Sequence, residues 1–193
     1  MTYELVIVGG GPCGASAAVF AGRAGWRTAV IDNGIGLALR AQVDNHLGLP
    51  EGATGPELVE LGRRHAVKFG AEWIEDEVTS LTVQDDVVTL RTAGERTVQA
   101  RDVLLAQGVN TMLATEAGIL TEAGREPWIK TVITVDSLGR TSVPHVWAAG
   151  TIAGTSVHTI IVAGDGARVA VNVISSRRGE RHVDHDTLEP PPA

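Results

Sequence analysis

Three glycines near the N-terminus have the spacing of a phosphate-binding turn. Gly9, Gly11 and Gly14 form a Gly-x-Gly-x-x-Gly pattern directly after a β-branched run, and Asp32 ends the next apolar segment. The first glycine of such a turn permits a tight bend, the second lets backbone approach a pyrophosphate, and the third lets helix and strand pack closely. The helix that follows directs unpaired N–H groups at the phosphates, and the carboxylate accepts hydrogen bonds from a ribose. The pattern therefore predicts a dinucleotide-binding site.

The elements that must position this turn are those of a β-α-β unit. Residues 4–8 predict a buried parallel strand, 15–24 a helix of small residues, and 28–31 a second strand. Alternating residues between 73 and 105 predict several strands joined by hairpin turns, among them separate strands at 96–99 and 103–105. Residues 157–174 predict a closing helix. We expect an α/β fold: a Rossmann-type FAD/NAD(P)-binding domain whose parallel sheet carries a β-meander crossover.

Two further patterns suggest where elements and domain end. The segment Thr54-Gly55-Pro56-Glu57 has the spacing of a capping box, so a helix should begin there and run to about Phe69. From Ser175 the chain is polar and ends in three prolines. We therefore expect a single FAD-binding domain over residues 1–174 and a polar C-terminal tail over 175–193.

Composition excludes several classes of function. The 193 residues carry 16 Lys and Arg against 23 Asp and Glu, a net charge of −7, which argues against nucleic-acid and anionic-membrane partners. No apolar run is long enough to span a bilayer, and the N-terminus lacks the pattern of a secretory leader, so we expect a cytoplasmic protein. Cys13 is the single cysteine, which excludes a CxxC pair within the chain. No metal site is expected, because the His- and Asp-containing segment 182–186 lies in the polar tail.

Four blocks, in order, resemble the low-molecular-weight thioredoxin reductases. Residues 9–14 are similar to the FAD fingerprint G-x-G-P-A-G of that family, with Cys13 in place of its alanine. Residues 43–48 resemble its V-E-N-x-x-G loop, and 102–108 resemble the strand and A-x-G turn that end its FAD half. Residues 141–150 are close to the family block that ends in A-A-G-D. The resemblance implies FAD as cofactor.

Departures from the family pattern limit what the resemblance implies. Residues 109–140 span the place where a full reductase inserts an NADPH domain with a redox CxxC, and they contain neither a second glycine fingerprint nor a cysteine. The resemblance therefore covers the FAD domain alone. Thr151 stands where the family has an aspartate that binds the ribityl or phosphate part of FAD. His158 and Thr159 stand where the family has a Gln-Ala pair beside the flavin pyrimidine edge.

The glycine pattern and the resemblance together give a set of expected cofactor contacts. The glycine turn should hold the pyrophosphate, Asp32 the ribose and Val78 the adenine. Asn45, Thr151 and the start of the closing helix should surround the flavin. The expected cofactor-binding residues are Gly9, Gly11, Pro12, Cys13, Gly14, Asp32, Asn33, Gln42, Asn45, Val78, Ala106, Gly108, Gly150, Thr151, His158 and Thr159.

The expected function is an FAD-binding flavoprotein that acts as an oxidoreductase without the dithiol relay of the family. Electrons would come from NAD(P)H docking directly on the flavin, or from a protein donor. The alternative is a non-catalytic FAD-binding module that works with a separate chain. A short-chain nicotinamide enzyme is disfavoured, because Tyr3 is the only tyrosine and no lysine lies four residues after it. Analogy with the family implies a homodimer.

Two residues have competing interpretations, and no catalytic residue is identified. Cys13 is expected to be a small packed residue; the alternative is a reactive or mixed-disulfide thiol, since a helix N-terminus lowers the pKa of a thiol. His158 is either a flavin neighbour, which could also take part in proton transfer, or a helix cap or a surface residue.

Overall fold

The computed structural model describes residues 2–186. The strands are β1 (Thr2–Val8), β2 (Thr28–Asp32), β3 (Gln42–Val43), β4 (Ala53–Thr54), β5 (Glu72–Glu75), β6 (Val78–Gln84), β7 (Val87–Thr92), β8 (Thr97–Leu105), β9 (Thr121–Ala123), β10 (Thr131–Ile133) and β11 (Val146–Ala148). The helices are α1 (Pro12–Arg23), α2 (Gly55–Lys68), α3 (Met112–Glu116) and α4 (Thr159–Arg178).

The central sheet is mostly parallel and has β1 in its middle. Its strand order is β5-β2-β1-β8-β7-β6, with β11 also paired to β8. Strands β5, β2, β1, β8 and β11 pair in parallel, whereas β6 and β7 form the antiparallel meander. This topology confirms the α/β fold.

The long strand β8 corrects the sequence prediction of two strands, at 96–99 and 103–105. It is one strand, because it pairs with β1 in a single register from Gln99 to Leu105. On its other side, its first half pairs with β7 and its last three residues pair with β11. The meander thus joins the parallel sheet through this single strand.

Two apolar layers cover the two faces of the sheet. Along β1, Leu5 and Ile7 pack on the face covered by α1 and α4, while Val6 and Val8 pack on the opposite face. The two helices lie close together because their contact surface consists of small residues. A Cβ at Gly166 of α4 would overlap the backbone carbonyl of Cys13 in α1. Close packing therefore accounts for the small residues of α1.

Helix α2 begins with the predicted capping box. The Thr54 hydroxyl accepts a hydrogen bond from the Glu57 N–H, and the Glu57 carboxylate accepts one from the Thr54 N–H at 2.8 Å. The Thr54 hydroxyl also donates to this carboxylate at 2.7 Å, and the two bonds donated by Thr54 lower the pKa of Glu57. The helix ends at Lys68, next to the predicted boundary.

Helix α4 differs from its predicted span of 157–174, because it begins at Thr159 and continues to Arg178. Its last turn is polar and mostly exposed, so composition alone gives no boundary there. Gly179, with φ of 74°, ends the helix. Beyond it, Asp184 forms a bidentate ion pair with Arg23, with both N–O distances 2.7 Å. The three C-terminal prolines lie outside the described residues.

Membrane-spanning character is absent from the helices described. None of those within residues 2–186 is both long enough and apolar enough to cross a bilayer.

Candidate functional site

A cavity of about 430 Å³ opens where β1, β2 and β8 end. Its volume lies in the range of small-molecule sites. In open α/β sheets, ligands bind at this carboxyl edge of the parallel strands. The cavity walls come from the glycine turn, the ends of β2 and β8, the start of β6 and the segment before α4.

The glycine turn forms one wall, and its three glycines have different surroundings. Gly9 has φ of 104°, and a Cβ there would lie 2.5 Å from the carbonyl oxygen of Ala106. A Cβ at Gly11 would meet no heavy atom within 4 Å, so it would extend into open space. Gly14 packs against the Gly9 carbonyl and Ile7, and it does not line the cavity. The turn therefore presents bare backbone at Gly11.

The N-terminus of α1 supplies positive partial charge to this wall. Gly11 is its N-cap without a side-chain hydrogen bond, and its first turn contains no acidic residue. Pro12 has no N–H, and the N–H groups of the next residues have no acceptor within the helix. Among the described residues, no Lys, Arg or His lines the cavity. An anion in this cavity would therefore be held by backbone amides and the helix dipole.

The end of β2 brings a carboxylate to the turn. One oxygen of Asp32 accepts a hydrogen bond from the Gly10 N–H at 2.8 Å. A Cβ at Gly10 would overlap the Trp73 ring and would lie 2.8 Å from the Asp32 carboxyl carbon. Residue 10 occupies an x position of the Gly-x-Gly-x-x-Gly pattern, yet packing requires glycine there. The sequence argument did not predict this requirement. Asp76 and Glu77 add carboxylates to the same end of the cavity.

Gln107 is a polar residue of the wall that the sequence argument missed, although it singled out its neighbours Ala106 and Gly108. Its side-chain oxygen is buried without a hydrogen-bond partner in residues 2–186. Leaving a buried acceptor unpaired costs about 1–3 kcal/mol. A ligand hydroxyl or N–H in the cavity would remove that cost, so this atom favours a ligand with donor groups.

The opposite end of the cavity lies at the start of α4. Thr151 and Thr159 are both 9% exposed and line the wall. The Thr159 hydroxyl lies 3.0 Å from Nδ1 of His46, and burial lowers the pKa of that histidine. His46 lies in a loop far away in sequence, and the sequence analysis did not identify it as a site residue. His158 is exposed outside the lining, with its ring 2.9 Å from the Ser156 hydroxyl.

Cys13 lies in the inner wall as a buried thiol. A Cβ at Gly150 would lie 2.9 Å from its sulfur, so the thiol fills the space beside that glycine. Burial raises the pKa of Cys13, and the carboxylate of Asp165 raises it further. That carboxylate also accepts a hydrogen bond from the Gly150 N–H at 2.7 Å. The thiol is therefore protonated at neutral pH.

The structure brings most of the expected residues together. Those that line the cavity are Gly9, Gly11, Pro12, Cys13, Asp32, Asn33, Val78, Ala106, Gly108, Thr151 and Thr159. Those outside the lining are Gly14, Gln42, Asn45, Gly150 and His158. The side chain of Gln42 instead donates to Asp44 at 2.9 Å, and Asn45 is exposed in its loop. Apolar wall residues missed by the sequence argument are Ile35, Leu37, Val109 and Val157.

Within residues 2–186, no group of three His, Cys, Asp or Glu side chains is arranged to hold a metal ion.

The fold is that of a Rossmann-type α/β domain, with a cavity at its glycine turn. The family model "Pyridine nucleotide-disulphide oxidoreductase" matches residues 3–131, and the chain belongs to that family. It corresponds to the FAD-domain portion of thioredoxin reductase.

Individual relatives agree with this assignment. The bifunctional thioredoxin reductase/thioredoxin of Mycobacterium leprae is 36% identical over 111 residues, covering 56% of this chain and 24% of the relative. The thioredoxin reductase of Aquifex aeolicus is 31% identical over 111 residues, covering 55% of this chain and 34% of the relative. The matched part thus spans a quarter to a third of these relatives.

Solved structures show the same fold at lower identity. A thioredoxin reductase from Gloeobacter violaceus superposes with a TM-score of 0.81 at 17% identity, covering 97% of this chain and 99% of that chain. An oxidoreductase from Agrobacterium tumefaciens superposes with a TM-score of 0.81 at 16% identity, covering 93% of this chain and 99% of that chain.

Proposed function

We propose that this chain binds FAD in the glycine-turn cavity and acts as a flavin-dependent oxidoreductase without a dithiol relay. The observation that carries the proposal is the open space at Gly11, where bare backbone and the N-terminus of α1 face a cavity of about 430 Å³. The residues present fit the cofactor, since the cavity has a place for a diphosphate, unpaired polar groups for hydroxyls and apolar walls for rings.

The diphosphate would lie against the glycine turn. Backbone N–H groups at the start of α1 lack acceptors within the helix and would donate to the phosphate oxygens. Since no cationic side chain of residues 2–186 lines the cavity, these amides and the helix dipole would balance the negative charge.

The adenosine half would lie between β2 and β6. The second oxygen of Asp32 would accept hydrogen bonds from the ribose hydroxyls, and buried Val78 would contact the adenine. The Asp32 carboxylate would repel a 2′-phosphate at this end, where the only cation near Asp76 among the ion pairs of residues 2–186, Arg96, lies outside the cavity lining. This favours FAD or NAD over NADP in the cavity itself.

The flavin half would lie towards α4. When bound, FAD supplies the transfer of hydride or single electrons, and the protein supplies placement and electrostatics. The Thr159 hydroxyl would reach the pyrimidine edge while His46, 3.0 Å away, fixes its direction. The positive end of α4 would favour negative charge at that edge, and Thr151 would replace the family aspartate as a donor or acceptor.

A dithiol within these 193 residues cannot supply the electrons. The single cysteine of the chain cannot form an intrachain dithiol, so NAD(P)H would dock directly on the flavin face, or a protein donor would deliver electrons. We also propose a cytoplasmic homodimer and a single FAD-binding domain, by analogy with the family.

A second candidate function is a non-catalytic FAD-binding module that serves another chain. The observation that favours it is the segment between β8 and β11. It contains only α3 and the β9–β10 hairpin as regular elements, instead of a second nucleotide-binding domain.

The test is a titration of cofactor-free protein with FAD, FMN and NAD, followed by anaerobic addition of NADH or NADPH. Saturable binding of FAD with much weaker binding of FMN supports the proposed site, because FMN lacks the adenosine half. Bleaching of the flavin absorption by either nucleotide supports the enzyme, and bound flavin that neither nucleotide reduces supports the module. Absence of FAD binding contradicts both.

A further inference from the structure

A second cavity, of about 290 Å³, lies at the opposite edge of the sheet. It is lined by the middle of β8, the start of β11 and the loop before it, and the last turn of α4. The wall residues that matter here are Asp102, Arg140, His145, Trp147, Ser176 and Arg177. The proposed FAD site involves none of them.

Arg140 brings an uncompensated positive charge to this cavity. Its guanidinium lies over the Trp147 ring, 5.4 Å from the centroid, and its one side-chain hydrogen bond is a long one of 3.4 Å to the Ser176 hydroxyl. Within residues 2–186 it has no carboxylate partner within 4.0 Å. Most of its N–H donors therefore remain available to a ligand.

Arg177, in contrast, is held in place by a buried acid. Its Nε donates to Asp102, which is 2% exposed and also accepts a hydrogen bond from Trp147 Nε1 at 3.1 Å. A second guanidinium nitrogen donates to the carbonyl of Arg101 at 2.7 Å. These bonds fix the guanidinium at the cavity wall and neutralise the Asp102 charge.

His145 adopts a backbone conformation that is unusual for its residue type. Its φ is 65°, in the left-handed region, where the backbone of a non-glycine residue is strained. Its ring lies between Arg177, 2.9 Å from Nδ1, and Asp86, 3.0 Å from Nε2. Because Nδ1 must accept from the guanidinium, Nε2 carries the proton and donates to Asp86. The strained residue thus adds to the positioning of Arg177.

The charges around the cavity leave it positive. The positive charge of Arg177 and the negative charge of Asp102 cancel. The Asp86 carboxylate lies on the far side of the His145 ring and is 88% exposed, so water screens its charge. The carbonyl end of α4 adds partial negative charge, but Arg177 and Arg178 occupy that last turn. The Asp136 carboxylate accepts a hydrogen bond from the backbone N–H of Arg140 at 2.9 Å, but among the ion pairs of residues 2–186 no carboxylate lies within 4.0 Å of the Arg140 guanidinium.

We infer that this second cavity is a binding site for a small oxyanion of the phosphate type. Arg140 supplies paired N–H donors on one side, Arg177 lies fixed in the wall, and the Ser176 hydroxyl lies beside them. A tetrahedral anion can accept from groups in several directions, whereas a planar carboxylate fits one guanidinium fork.

The test is isothermal titration of the full chain with inorganic phosphate at constant ionic strength. We expect saturable binding that Arg140→Gln weakens about tenfold or more, since a charge-assisted hydrogen bond is worth about 1.5–3 kcal/mol. Arg91→Gln is the matched control, because Arg91 is exposed and lines neither cavity. It removes the same charge and should leave phosphate binding unchanged.

Three results would overturn the inference. The first is absence of saturable binding by the unmodified chain, and the second is equal affinity in Arg140→Gln, which would place the phosphate elsewhere. The third is acetate binding as tightly as phosphate, which would contradict the tetrahedral ligand class. Retention of binding in Gly11→Val supports the second site, because that substitution fills the glycine turn and leaves this edge unchanged.

Discussion

The two cavities lie at opposite edges of one sheet and use different means to attract negative charge. The carboxyl-edge cavity presents backbone at Gly11 and a helix N-terminus, with no cationic side chain of the described residues in its wall. The amino-edge cavity contains Arg140 and Arg177 beside the end of α4. The first proposed site depends on backbone conformation, and the second on two arginine side chains, of which Arg177 is held by the buried Asp102.

This difference determines which substitutions affect each site. In the first cavity, adding atoms to a glycine should be the most damaging change, because the space itself is the binding feature. In the second cavity, removing a charged side chain should matter most. The following predictions test this contrast, from the largest expected effect to the smallest.

Gly11→Val should abolish flavin incorporation, because the added side chain would occupy the space expected for the diphosphate. Flavin released from equal amounts of purified variant and unmodified protein measures the effect. Gly164→Val is the matched control, since Gly164 is exposed in α4 and a Cβ there also meets no heavy atom within 4 Å. A folded Gly11→Val protein with full flavin would contradict the proposed diphosphate position.

Arg177→Met should lower the free energy of unfolding by about 2 kcal/mol, because it leaves the buried Asp102 carboxylate without its cation. This figure lies below the usual loss for a buried pair, since the Arg177 side chain is 32% exposed. Urea unfolding measures it, with Arg91→Met as control. Equal stability of the two variants would show that the Asp102 pair does not hold this edge together.

Cys13→Ala should cost about 1 kcal/mol of stability through the small void it leaves, with flavin content and any reductase activity unchanged. Because burial raises the pKa of Cys13, the folded protein should react slowly with iodoacetamide even in mildly alkaline buffer. Unfolding in urea should expose the thiol and restore its ordinary rate. Loss of activity with flavin retained would instead give Cys13 a chemical role.

His145→Gly should change the unfolding free energy by less than about 1 kcal/mol, because strain relief offsets the lost hydrogen bonds. His145→Ala loses the same bonds but keeps the strained backbone, so it should be about 1 kcal/mol less stable than the glycine variant. Thermal unfolding of the His145→Gly and His145→Ala variants measures this difference in stability, which reports the backbone strain at residue 145. Equal stability of the two variants would mean that residue 145 is not strained.

The sequence predicted the first cavity better than the second because its signals are local. The glycine turn, Asp32 and the capping box at Thr54 each depend on residues close in the chain, with backbone geometry that their types require. The same reasoning did not identify Gly10 or Gln107, since their importance comes from Trp73 and from a buried atom without a partner.

The second cavity escaped sequence analysis because its residues come from separate segments. Asp102 and Arg177 are 75 residues apart, and His145 joins them from a third segment. The contact between His46 and Thr159 spans 113 residues and was missed for the same reason. The end of α4 was misplaced because its last turn is polar, whereas helix continuation depends on backbone bonds and the cap at Gly179.

The measurement that tests the account most directly is the visible absorption spectrum of the purified protein, combined with identification of the chromophore after denaturation. We expect a flavin spectrum and release of FAD in nearly equal molar amount to the chain. A colourless protein that also fails to take up added FAD, or one that releases a different cofactor, would contradict the account.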